Sequence, residues 1–250
     1  MLYAIISIVA FITNSILAFI VIRKGLKNAT QLTFFLLITS YLIYIIPNYI
    51  AISTPSSLIA LWSIRVTMGI AIFQTLLFFI FSKTFPNKKI AFSKNRLFSI
   101  ILYSFSVAIF CFTPWLFSDV RKVENSIELD SEFGVLIFGA TTAIFIILGL
   151  YNLVKKYNAA SGILKTQLIC IIVGTLIMHA LFFLLAFVFS VIFKTDLFPK
   201  IAPIFFLPFT LLSTYAITRY RFMEIRLVLR KSLIVGSLLV VSLAIVIAIL

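Results

Sequence analysis

The chain has 250 residues, of which 63% are hydrophobic and 11% charged, and its mean hydropathy is +1.22. Water-soluble domains run about 45–50% apolar and about 25% charged, so one water-facing globule cannot enclose this much apolar surface, and the polar residues are too few for a disordered chain. The net charge of +14 comes from 21 Lys and Arg against 7 Asp and Glu. In a soluble protein that balance would point to nucleic acid. Here the cations gather in short loops between apolar runs, as in a polytopic membrane protein, and no nucleic-acid partner is expected.

A membrane-spanning helix needs roughly 20 mostly apolar residues. In chain order the qualifying runs are 2–22, 32–52, 58–82, 98–118, 134–154, 167–193, 201–217 and 232–250. They are continuous and lack the period-two alternation of barrel strands, so the expected fold is an all-α integral membrane bundle. The first run has no cation before it and no small-residue cleavage site, and Arg23 and Lys24 follow it. It reads as a retained helix rather than a signal peptide. Cys111 and Cys170 each lie inside an apolar run, which fits neither a disulfide framework nor a metal or redox pair.

The cations orient the stack. Sixteen of the 21 fall in alternate loops: Arg23, Lys24 and Lys27; then 83–96; then Lys155, Lys156 and Lys165; then 219–231. The opposite side carries Arg121, Lys122, Lys194 and Lys200, offset by six acids between Asp119 and Asp196. Cytoplasmic loops collect Lys and Arg, so the N-terminus is placed outside and the 219–231 loop in the cytoplasm. The expected location is the plasma (inner) membrane. The last run ends at Leu250 without a polar flank, so the chain is expected to be a fragment lacking a soluble part.

Few residues carry chemistry. Arg65 follows Trp62 a few residues into the third run and has two readings. One is an intramembrane cation that binds an anionic ligand or pairs across helices, with Asp119 as a candidate partner. The other is a side chain that snorkels to the outer headgroups while Trp62 anchors the interface; it is favoured because 66–82 alone nearly spans the hydrocarbon core. Pro47, Pro114, Pro203 and Pro208 fall in or near the outer halves of their runs, where lost backbone donors can kink helices and open a pocket, with Trp115 at its edge or in the outer aromatic belt. His179, the one histidine, lies near the middle of the sixth run, and a hydrogen bond to a neighbouring helix is ranked ahead of a ligand contact. The candidate ligand-binding set is Trp62, Arg65, Trp115 and His179. No metal site, cofactor or catalytic residue is expected, since there is no second His, no mid-depth carboxylate, no acid–base pair and no glycine-rich phosphate loop. A small transporter or permease is the alternative reading, although its midplane path would offer little beyond hydroxyls, Asn14, Asn48, Gln74 and His179.

The stretch after the seventh run is the most informative. At 100° per residue, Arg219, Arg226 and Arg230 share one face, and Phe222, Ile225, Val228 and Leu229 the other. That pattern suits a short helix in the inner interface with its cations on anionic lipid, and equally a plain stop-transfer cluster. The string Tyr215-Ala216-Ile217, then Arg219-Tyr220-Arg221-Phe222-Met223-Glu224-Ile225, then Leu227 to Leu233 resembles the end of the N-terminal seven-helix sensor region of bacterial membrane histidine kinases. Members of that family often show an A-I-x-R-Y-R-L-x-D-I run here, then a basic R-x-S/T-L stretch and a further membrane helix. Glu224 stands where Asp is usual, and Phe222 where Leu is. Phe85-Pro86 after the third run also resembles the family's turn.

The resemblance implies a signal-input module of a two-component system, usually a homodimer, that biases a cytoplasmic kinase output domain missing from or separate to this chain. It implies a seven-helix receptor-like domain over 1–217, a basic junction over 218–231 with Arg219, Tyr220, Arg221, Glu224, Arg226 and Arg230 in signal coupling, and an eighth transmembrane helix over 232–250. It supplies no ligand. The chain has no phospho-acceptor histidine motif and no nucleotide-binding boxes, so it is not expected to be an enzyme by itself.

Overall fold

The computed structural model describes residues 2–23, 25–26, 28–86, 93–123, 126–131, 133–189 and 200–218. The helices follow in order: α1 (Leu2–Arg23), α2 (Ala29–Ser53), α3 (Ser57–Thr84), α4 (Lys94–Phe110), α5 (Gly134–Ala159), α6 (Gly162–Leu181) and α7 (Leu207–Thr218). Strands β1 (Phe117–Val123) and β2 (Ser126–Ser131) lie between α4 and α5. The protein is thus an all-α membrane bundle with one small hairpin, as its composition requires. The junction 219–231 and the run 232–250 lie outside the described residues.

Local chemistry sets the helix ends. Asn28 caps α2, its side-chain oxygen accepting from Gln31 N at 2.9 Å. Gly25, at φ 87°, makes the left-handed turn after α1, and its N–H reaches Ile22 O. Among the described residues five helices are long and apolar enough to cross a membrane: those beginning at Tyr3, Ala29, Ser57, Gly134 and Gly162.

Two runs depart from expectation. The fourth was expected over 98–118, but α4 stops at Phe110 after 17 residues, a rise of about 25 Å. Pro114 lacks an amide hydrogen and disfavours helix at the residue before it, so the chain turns over 111–116 and enters β1. The hairpin β1–β2 stands where only an acidic loop was expected, and its register sets Arg121 opposite Glu128 and Asp119 opposite Asp130. The seventh run begins as a 3-10 turn over Ala202–Phe206, with Pro203 at its start, and becomes α-helical only from Leu207. Facing it, α6 passes into a π-helix over Phe182–Phe189.

The main core joins α1, α2, α3, α6 and α7, with Leu153 of α5, and is built from rings: Tyr41 stacks on Phe206 at 4.2 Å, and Phe34, Tyr41, Phe78 and Phe81 meet Phe209 edge-on. Lipid tails are as apolar as these side chains, so association rests on close packing and polar bonds. Gly174 shows it: a Cβ there would lie 3.0 Å from the α7 backbone at Pro208 and Phe209. The axis is α3. Over its most apolar stretch 56% of residues are buried, against 22–39% in the other four long helices, because α2, α4, α5 and β1 all pack on it.

Candidate functional site

The cation-rich loops define an inner end of the bundle and the hairpin an outer end, and α3 meets a charged side chain at each, Lys156 of α5 at the inner end and its own Arg65 at the outer. The inner end is closed by α5. Asn152 and Lys156 are one helical turn apart and project to the same side. The Lys156 ammonium donates to Ser82 O at 2.8 Å, to Lys83 O at 2.7 Å and to Phe85 O. Phe85 N and the Thr84 hydroxyl both donate to Phe81 O, and the Thr30 hydroxyl donates to Thr84 O at 3.1 Å. The four consecutive carbonyls from Ser82 to Phe85, which the helix itself leaves without donors, are all satisfied. The cation also sits at the negative end of the α3 dipole. Thr33 and Thr84 share a hydroxyl hydrogen bond at 3.1 Å, and Asn152 donates to the Ser82 hydroxyl. This knot ties α2, α3 and α5 together. The following Phe85–Pro86 peptide is cis.

At the outer end, Arg65 is not the snorkelling residue that was favoured. It is only 5% exposed, and its Nη2 donates to Phe117 O at 2.8 Å, where β1 begins. The hairpin and the 111–116 turn cover it: Leu116, Phe117 and Val120 form a small core with Ala60, Leu61, Ile72, Val107 and Cys111. Its Cζ lies 5.1 Å from the centre of the Trp62 ring, which is itself 47% exposed. Asp119 makes no ion pair with it; its Oδ1 accepts from Val120 N at 2.7 Å. The Arg65 Nε is buried and has no hydrogen-bond partner.

The other candidates fall elsewhere. Trp115 is 68% exposed on the outer turn, and its carbonyl accepts from Gly134 N at the start of α5. His179 bonds within α6, Nδ1 to Thr175 O at 2.8 Å, rather than to a neighbouring helix. Its ring packs 5.9 Å from Phe78, thirteen residues along α3 from Arg65, or about 20 Å. Trp62 and Arg65 therefore form one site with the hairpin, and His179 belongs to the main core. Of the polar residues considered for a transport path, Gln74 and Asn14 spend amide hydrogens on backbone, on Ser40 O and Ala10 O, whereas the Asn48 amide nitrogen is buried without a hydrogen-bond partner.

In the sequence Lys156 reads only as a topology charge, and Gln167 carries no distinguishing mark. Gln167 Nε2 donates to Ala216 O at 2.9 Å, holding the last turn of α7 against α6. The coupling residues Arg219, Tyr220, Arg221, Glu224, Arg226 and Arg230 lie outside the described residues. A polar pair four residues apart near the end of a mostly apolar helix, as at Asn152 and Lys156, is the signal the sequence offers.

The family described as "N-terminal 7TM region of histidine kinase" matches residues 6–226, nearly the whole chain. Among curated proteins none matches.

Proposed function

Since this chain belongs to the family of N-terminal 7TM regions of histidine kinases, a multi-pass membrane sensor module, we propose that it takes an extracellular or lipid-borne stimulus at its outer end and passes it through α7 and the basic 219–231 junction to a kinase output domain. The carrying observation is the Gln167–Ala216 bond, which fixes the last turn of α7 to α6 three residues before Arg219. The two helices are also held by the Gly174 contact. Their outer halves leave α geometry together, one as π and the other as 3-10. Such irregular turns often occur at functional positions and give a helix pair a second packing to adopt. The stimulus acts by binding one packing more tightly than the other. We place the protein in the plasma membrane, facing lipid, as a homodimer.

The test is charge reversal at Arg219, Arg226 and Arg230 in the protein joined to its kinase. Autophosphorylation should change while membrane insertion stays intact. Unaltered autophosphorylation with normal insertion removes the junction from the coupling route.

A further inference from the structure

The outer end of α3 holds a buried charge with no ion pair among the described side chains, and the geometry points to an oxyanion site, for a carboxylate or phosphate group, on the Nε–Nη2 edge of Arg65. The inference rests on the sensor reading and specifies what the outer site takes. One neutral oxygen, Phe117 O, occupies Nη2 at 2.8 Å. Nε, on the same edge of the guanidinium, is buried and unpartnered. That edge presents two parallel N–H groups, the fork that a two-oxygen anion fills and a single carbonyl does not. The carboxylate nearest in sequence to Phe117, Asp119, is bonded to Val120 N. The Trp62 ring covers a face of the guanidinium, so a ligand approaches by the edge.

A cation removed from water with one neutral acceptor is costly, and an acceptor-only anion relieves both the charge and the orphan N–H. Binding also has a mechanical consequence. An anion on this edge shares or displaces the Phe117 carbonyl, and Phe117 is the first residue of β1. Phe117 and Val120 are packed with Leu61 and Ile72 of α3 and Val107 of α4. Arrival of the anion therefore shifts the hairpin against α3 and α4.

The oxyanion comes from a lipid headgroup or from solution. The test uses the chain in dodecyl maltoside micelles, which carry no phosphate, titrated calorimetrically with dihexanoyl phosphatidylglycerol and, separately, with inorganic phosphate. Saturable binding is expected, lost in Arg65→Gln and weakened at least tenfold in Arg65→Lys, which keeps the charge without the fork. The Arg65 Nε–H resonance should move downfield on binding. A response to phosphatidylglycerol alone assigns a lipid headgroup, and a response to phosphate assigns a free anion. No saturable binding of either probe, equal affinity in Arg65→Lys, or an unmoved Nε–H resonance overturns the site. If Arg65→Gln does not insert, the Arg65→Lys comparison and the resonance decide. Absent binding alongside a junction charge reversal that still alters autophosphorylation sinks this inference and leaves the sensor function standing.

Discussion

The two ends of α3 solve the same electrostatic problem in opposite ways. At the inner end one ammonium gives its three hydrogens to three carbonyls, and threonine hydroxyls and a backbone N–H supply the rest. At the outer end a guanidinium with five hydrogens gives one to a carbonyl and keeps a buried Nε–H unused. A satisfied network rigidifies, whereas a half-satisfied one lowers the cost of rearrangement. A sensor needs both: a fixed inner frame of α2, α3 and α5, and an outer end at which a ligand supplies what the fold leaves out.

Substitutions at each end break or sharpen this contrast. The largest effect belongs to Lys156→Met, which strips the donors from three carbonyls at the α3 end. The expected destabilisation is about 2–3 kcal/mol, from the strength of hydrogen bonds to charged groups, read as a shift of the denaturation midpoint in SDS titrations. A smaller loss than that of Thr33→Val would show the knot to be ornamental. Thr33→Val removes one shared hydroxyl and should cost about 0.6 kcal/mol, the average measured between membrane helices, in the same titration. Arg65→Met should have the smallest effect, within about 0.5 kcal/mol of the parent, because a buried cation without an ion pair stabilises little and an apolar side chain of similar length fills its place. Destabilisation as large as that of Lys156→Met would make the Arg65–Phe117 bond a structural clamp and erase the difference between the ends.

Much of the architecture was legible in advance. Runs of about 20 apolar residues dictate spanning helices whatever their neighbours do, and α1 to α6 begin within about five residues of the expected starts, while α7 starts late, after a 3-10 turn. The hairpin was not legible, because residues 121–132 alternate too weakly and too briefly to mark strands, and only the stop that Pro114 imposes on α4 brings the two arms together. His179 was ranked as an interhelical donor, but the Thr175 carbonyl four residues back lies in reach of its ring. Of the candidate site, Trp62 and Arg65 were found together because they are three residues apart on one helix. Phe117, 52 residues away, has only a backbone oxygen to offer and left no mark in the sequence.

The sequence by itself determined the solvent, the order of the helices, the family and the side on which each loop is expected, since these follow from apolar run length, cation placement and one distinctive string. Only the tertiary structure decided which of the many cations act: Lys156 as the cap of another helix, Arg65 as a buried charge under a hairpin. A helix that is apolar on every side carries little record of which face meets which neighbour. That choice is made by ring packing, glycine contacts and the demand that every buried carbonyl find a donor, and those terms exist only once the helices are side by side.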